Sequence, residues 1–357
     1  MVNIAVIGCG YWGPNLIRNF NSLSDCRVKL VCDGNKDRLA HMKRIYPSLE
    51  TTTKFDDVIN DAEINAIVIA TPVRFHFEMA RKSLLAGKHT FIEKPMASSV
   101  DECEQLIEIA QKKQLKLMVG HTFIYSPPVR KIKEIVTAGD LGEIQYISAR
   151  RLNLGLFQTD INVAWDLAPH DISIMLYILN EEPLTVNCQG KAHVNPEVED
   201  VTNITINFPN GGLATIQSSW LDPNKIREMT FVGSKRMLVY NDLEPNEKIK
   251  IYDKRVETPP HYDTFAEFQY AYHYGDMYSP YLKQFEPLKV ECQHFYDCII
   301  NGAKPLTCGK EGMKVVQILE ATSKSLKKNG AAVEIKSSER KTRNVSNQAK
   351  TIISAAA

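Results

Sequence analysis

The 357-residue sequence has eight cysteines but no C-x-x-C pair and no cysteine–histidine grouping with zinc spacing. Cys9, Cys26, Cys32, Cys103, Cys188, Cys292, Cys298 and Cys308 therefore read as reduced, mostly structural thiols, and no metal site is expected. An excess of one charge is missing too. Lys plus Arg number 43 against 42 Asp plus Glu, a formal net charge of +1. That balance gives no reason to expect nucleic acid or a membrane surface as partner. No apolar run is long enough to span a bilayer. The opening "NIAVIG" reads directly as a strand, without the basic region and cleavage site of a signal peptide, so a cytoplasmic location is expected. Internal repeats are absent as well. What remains is the composition of a soluble globular protein, 44% hydrophobic and 24% charged, on a chain too long for one ordinary core.

From Asn3 to about Thr122, short runs rich in Val, Ile and Phe ("NIAVIG", "VKLVCD", "AIVIAT", "HTFIEK", "KLMVGHT") alternate with amphipathic stretches. Continuous apolar strands separated by helices predict a parallel sheet covered on both faces. Such doubly wound sheets bind ligands beyond the carboxyl ends of their strands. The first turn names the ligand. "GCGYWG" puts Gly8, Gly10 and Gly13 in G-x-G-x-x-G spacing between a strand and a helix, with Tyr11 and Trp12 in the turn and Pro14 suited to a first helical turn. Gly8 makes the tight turn, Gly10 admits the pyrophosphate to the backbone, and Gly13 allows close helix–strand packing. Asp33 ends the second strand, where an acid grips the adenosine ribose hydroxyls and repels a 2′-phosphate. NAD is the expected cofactor.

"TFIEKPMAS" then poses a question, because strand interiors disfavour both charge and proline. Glu93 and Lys94 are either a solvated pair where the strand surfaces or groups wanted at the ligand side. Further on, "WDLAPHDISIMLYIL" has helical apolar spacing from Ile172, with Pro169 tolerable in a first turn. Asp166 and His170 are i and i+4, on one face if both are helical. The alternative reading makes Asp166 simply the helix N-cap. A histidine near a helix N-terminus is held neutral and able to accept a proton.

These stretches resemble the Gfo/Idh/MocA oxidoreductases. The resemblance rests on "GCGYWG" at 8–13, "ATP" at 70–72 with His76, "EKP" at 93–95 and "DLAPH" at 166–170. It implies NAD-dependent oxidation of a CH–OH group, with Lys94, Asp166 and His170 as the catalytic set. Thr71, Pro72, His76, Glu93 and Lys94 join Gly8, Gly10, Tyr11, Trp12, Gly13 and Asp33 around the cofactor. "GYWGPNLIRNF", "WDLAPHDISIM" and "GDMYSP" are similar to members acting on nucleotide-activated sugars such as UDP-N-acetylglucosamine or its uronate, oxidised at C3. Tyr125, Arg151, Asn153 and Arg227 are then candidates for sugar or diphosphate contacts, arginine being suited by its planar fork. Two other readings stay open: a dehydrogenase of free inositol or a hexose, and a catalytically silent regulator that binds NAD and a sugar.

Past Gly120 the pattern changes to longer strands joined by tight turns, with "PNGG" at 209–212 a strong hairpin signal. The expected architecture is α/β. A Rossmann domain spans residues 1–122. An α+β domain for substrate binding and oligomerisation spans 123–330, with an open, mostly antiparallel sheet covered on one face. The polar, basic stretch 331–357 reads as a flexible tail. "NIT" and "NVS" match glycosylation sequons that a cytoplasmic protein ignores. An uncovered apolar sheet face predicts a homodimer or homotetramer.

Overall fold

The computed structural model describes residues 1–257 and 270–335. The expected tail and its "NVS" sequon lie outside the described residues, apart from positions 331–335.

The first third builds one parallel sheet from β1 (Val2–Ile7), β2 (Cys26–Cys32), β3 (Glu50–Thr52), β4 (Ala66–Ile69), β5 (His89–Glu93) and β6 (Leu117–Gly120). The order is β3-β2-β1-β4-β5-β6, with every pairing parallel. Strand order reverses between β1 and β4, which opens the ligand crevice at their carboxyl ends. The connections carry α1 (Gly13–Asn21), α2 (Lys36–Ile45), α3 (Phe55–Asn60), α4 (His76–Leu85) and α5 (Val100–Lys112). The apolar stretches are continuous because the sheet is covered on both sides, and β1 and β4 are buried along nearly their whole length. β3 and α3 were not among the elements the periodicity marked. Three residues with no apolar member, "ETT", give no strand signal, and only the edge pairing with β2 makes them one.

Among the described residues the second sheet has nine strands in the order β14-β13-β12-β11-β7-β10-β9-β8-β15. They are β7 (Ile144–Leu152), β8 (Thr185–Lys191), β9 (Val201–Asn207), β10 (Leu213–Ser219), β11 (Ile226–Gly233), β12 (Met237–Asn241), β13 (Ile249–Glu257), β14 (Ala271–Tyr278) and β15 (Val333–Glu334). Neighbours are antiparallel except β10 with β7. "PNGG" closes the β9–β10 hairpin, with Phe208 N–H donating to the Gly212 carbonyl at 2.9 Å and Gly211 at φ +78°.

Three helices pack on one face: α6 (Pro127–Thr137), α7 (Val163–Leu179) and α9 (Gly309–Lys327). The opposite face was expected to be apolar, but a registered row across five strands reads Thr205, Thr215, Ser148, Thr230 and Val239. All five are only half-buried. Threonine and valine share β-branching, which suits strands whether or not a face is greasy.

The chain does not leave the first domain at residue 122 for good. α8 (Pro287–Asn301) packs Phe295 edge-on to Phe91 of β5 at 5.6 Å and to Phe20 of α1 at 6.3 Å. Leu288 and Cys292 join the same core. α9 likewise lies against both α5 and β8. The two sheets are therefore clamped together by C-terminal helices.

Candidate active site

The glycine turn fits its reading at each position. Gly8 has φ +97°, and a Cβ there would sit 2.6 Å from the Ala70 carbonyl oxygen. A Cβ on Gly13 would fall 1.9 Å from the Gly8 oxygen, so α1 can start this close to β1 only with glycine. A Cβ on Gly10 would meet the Arg38 guanidinium at 3.8 Å. α1 starts with no side-chain N-cap, so its N-terminal end is open to a pyrophosphate. Asp33 at the end of β2 is fixed by the amides of Cys9 (2.6 Å) and Asn35 (2.8 Å). The Arg38 guanidinium stands 3.9 Å from that carboxylate. It was not singled out in the sequence, where an arginine five residues past Asp33 carries no distinctive signal. Trp12 Nε1 and the Glu93 carboxyl are both buried here, the indole N–H near enough to the carboxyl to favour its charged form. An uncapped helix start and an anchored acid beside the glycine turn together fit a dinucleotide.

Lys94 leaves β5 and reaches across to the second domain. Its ammonium donates to the Asp166 carbonyl at 2.8 Å and lies 3.6 Å from Asp166 Oδ1. The other carboxylate oxygen of Asp166 accepts from Trp220 Nε1 at 3.1 Å. This answers the question posed by "EKP": Lys94 is half-buried and paired, while Glu93 is buried beneath it and the Lys94–Pro95 bond is cis. Burial pushes the Glu93 carboxyl up to about 7 against the opposing pull of Lys94. The carboxyl rests on Gly120, where a Cβ would come within 2.9 Å of it.

α7 starts earlier than its apolar spacing indicated. Asn162 is the N-cap, its side chain accepting from the Trp165 amide at 3.2 Å, so Asp166 lies in the first turn instead of capping it. Pro169 is the seventh helical residue, not a first-turn one. Its missing N–H leaves the Trp165 carbonyl without a helical donor. Asp166 and His170 are both helical and share a face. His170 packs edge-on to Phe123 at 5.0 Å, and its Nδ1 is buried and unpartnered. Burial first, then the positive charges of Lys94, Arg151 and Arg227, hold its pKa well below the ordinary value. The ring is neutral and can accept a proton.

Other candidates are placed differently. His76 does not face open space: it is buried, with Nδ1 2.9 Å from the Pro95 oxygen and Nε2 2.8 Å from the Thr71 oxygen. It braces the "ATP" turn, with Thr71 and Pro72, against the "EKP" turn. Tyr125 is fully buried in the first domain's core, its hydroxyl 3.1 Å from Thr307 Oγ1, away from any substrate surface. Arg151 is also buried, and Asp171 occupies both arms of its fork at 2.8 Å, so it is not free for a diphosphate. Both came from reading residue type without burial. Arg227, opposite Arg151 in the β11–β7 register, is the half-exposed arginine of the pair, 3.6 Å from Asp242. Asn153 follows β7 at the start of a loop with exposed Leu154 and Leu156, tied to the first domain by Arg74–Asp160 at 2.7 Å. Tyr11 is exposed at the glycine turn.

Among the described residues no cluster of three or more His, Cys, Asp or Glu is placed to hold a metal, and no helix is long and apolar enough to cross a membrane. Residues 2–121 match the GFO/IDH/MocA oxidoreductase family's NAD-binding Rossmann fold, and residues 129–239 match its C-terminal domain. The chain belongs to this family. It is an NAD-dependent oxidoreductase with the two-domain architecture of Gfo/Idh/MocA proteins. It is 29% identical to the UDP-N-acetylglucosamine 3-dehydrogenase of Acidithiobacillus ferrooxidans over 71% of this chain and 78% of that one. The solved structure of that enzyme aligns with a TM-score of 0.75 over 92% of this chain and 98% of its own. Identity to scyllo-inositol 2-dehydrogenase (NAD(+)) of Bacillus subtilis is 24%, over 94% of this chain and 96% of that one.

Proposed function

We propose that this Gfo/Idh/MocA oxidoreductase oxidises a ring hydroxyl, at C3, of a nucleotide-activated sugar such as UDP-N-acetylglucosamine or its uronate. The observation that carries the reading is the convergence of Lys94, Asp166 and His170 from two domains at the carboxyl end of β5. Bound at the glycine turn, NAD supplies the hydride acceptor. Lys94 donates a hydrogen bond to the hydroxyl oxygen and stabilises the alkoxide charge that develops there. His170 takes the hydroxyl proton on Nε2, since its Nδ1 faces the interior. Asp166, held by Trp220, fixes the Lys94 ammonium. Arg227, half-exposed on the substrate side and close enough for its charge to act on His170, suits the diphosphate.

The likeness to a scyllo-inositol dehydrogenase over nearly the whole chain supports a second reading, oxidation of a free polyol. NADH formation with the two UDP-sugars, set against myo-inositol, scyllo-inositol and free hexoses, separates them. A higher kcat/KM for an inositol overturns the first reading. The helix-free face of the second sheet, mixed in character rather than apolar, is the surface on which we propose a homodimer or homotetramer, checked by light scattering at micromolar concentration. A monomer there removes that part.

A further inference from the structure

One buried group beside the reacting centre has no task in the scheme above. His121 follows β6 directly, is 1% exposed, and has no hydrogen-bond partner on either ring nitrogen among the described residues. Leaving buried polar atoms unpaired costs about 1–3 kcal/mol each, so such a ring implies water or a function. Burial, and then the Lys94 ammonium, push its pKa down to about 3. It lies close enough to His170 to act on that ring electrostatically. The nitrogen of His170 that faces inward, Nδ1, is likewise buried and unpartnered.

His121 lines a pocket of about 380 Å³, together with Lys133, Ser173, Tyr177, Asn180 and Glu311 among others. Three of these residues continue the face of α7 that carries His170, because 170, 173, 177 and 180 follow helical spacing. At 1.5 Å per residue, Ser173 lies about 4.5 Å and Asn180 about 15 Å along the axis from His170. Ser173 Oγ donates to the His170 carbonyl at 2.8 Å. The pocket thus runs from His121 and Ser173, about one turn past His170, toward the C-terminal end of α7, while Lys94 meets the first turn. Its charged and hydroxyl-bearing walls suit water.

We propose that His121 relays the proton of the reacting hydroxyl from His170 to water in this pocket. The proposal rests on His170 as the proton acceptor. Oxidation converts a secondary alcohol and oxidised NAD into a ketone, NADH and one proton. The C–H bond electrons leave with the hydride, and the O–H electrons form the new C=O bond. The proton must leave His170 before the next turnover, and cofactor and sugar occupy the front of the site. His170 receives it on Nε2 and releases its own from Nδ1. His121 accepts on one nitrogen through a bridging water as it releases from the other. A ring that resists carrying charge passes the proton on without storing it.

The test is stopped-flow oxidation of whichever panel sugar the wild type turns over, following NADH absorbance and a pH-indicator dye together. In the wild type, proton release keeps pace with NADH formation. In His121→Ala, the first turnover gives a burst of NADH, proton release lags, and steady turnover falls roughly a hundredfold, the low end for a positioned proton transfer. Added imidazole restores it. His121→Gln, which refills most of the space, gives the same lag without rescue. His170→Ala loses the burst itself, and a burst retained there overturns the acceptor assignment instead. Proton release in step with NADH in both His121 variants overturns the relay.

Discussion

The two halves of the site are built in opposite ways. On the cofactor side, α1 starts with no side-chain cap, and the Asp33 carboxylate is held by the backbone amides of Cys9 and Asn35. On the sugar side, charges are paired with one another: Arg151 with Asp171, Arg227 with Asp242, Arg150 with Glu228, and Arg74 with Asp160. A dinucleotide is recognised by backbone and a few polar atoms that wait for it. Of these pairs Arg151–Asp171 is buried, while Arg227, Arg150 and Arg74 stay partly exposed. Buried pairs set geometry more than they add stability, and breaking one is far costlier than never having it.

The sharpest way to break this contrast is Asp171→Ala, which strands the buried Arg151 guanidinium. Loss of about 3–5 kcal/mol in urea unfolding is expected. A loss under 1 kcal/mol, together with weaker sugar binding, would make Arg151 a ligand group after all. Lys94→Met comes next. Turnover should fall about a hundredfold or more, the effect of removing one oxyanion donor, with NAD affinity little changed. Combining it with Asp166→Asn or His170→Ala should give less than additive losses, as groups acting together do. Unchanged turnover would return "EKP" to a surface role.

A smaller effect is expected at Asp33. Asp33→Ala should weaken NAD by roughly tenfold, about the worth of one charge-assisted hydrogen bond, and narrow its lead over NADP. Fluorescence titration with both cofactors measures this, and equal loss of both would leave Asp33 only its bonds to Cys9 and Asn35. The smallest concerns Glu93. Its folded pKa, raised to about 7, means the folded state binds more protons than the unfolded one between the ordinary value of 4.5 and 7. Stability therefore falls as pH rises through that window. The difference in Tm between Glu93→Gln and wild type should grow in the variant's favour from pH 4.5 to 7 and then level off. A flat difference would place the Glu93 carboxyl in contact with water.

The cofactor half was legible because its determinants are local. Three glycines within six residues, an acid at a strand end and a lysine after an apolar run each announce themselves in sequence. Each is explained by a steric or electrostatic demand at its own position, such as the 1.9 Å that forbids a Cβ on Gly13. The sugar half was not. Tyr125, Arg151 and Arg227 are chemically plausible alike, and only burial sorts them into a core residue, a locked pair and a half-exposed cation. Arg38 and His121 sit in ordinary surroundings in sequence, and gain meaning from Asp33, Lys94 and His170 brought beside them.

By itself, then, the sequence determined the doubly wound sheet, the dinucleotide turn and the place where Lys94 must stand, since periodicity and glycine stereochemistry act over a few residues. The tertiary structure alone decided that α8 returns to the first core, that α7 begins at Val163, and that His76 braces two turns. It also decided which arginine is left half-exposed. Those outcomes depend on which distant charges and apolar faces meet, and pairing energies between remote segments leave no local pattern to read.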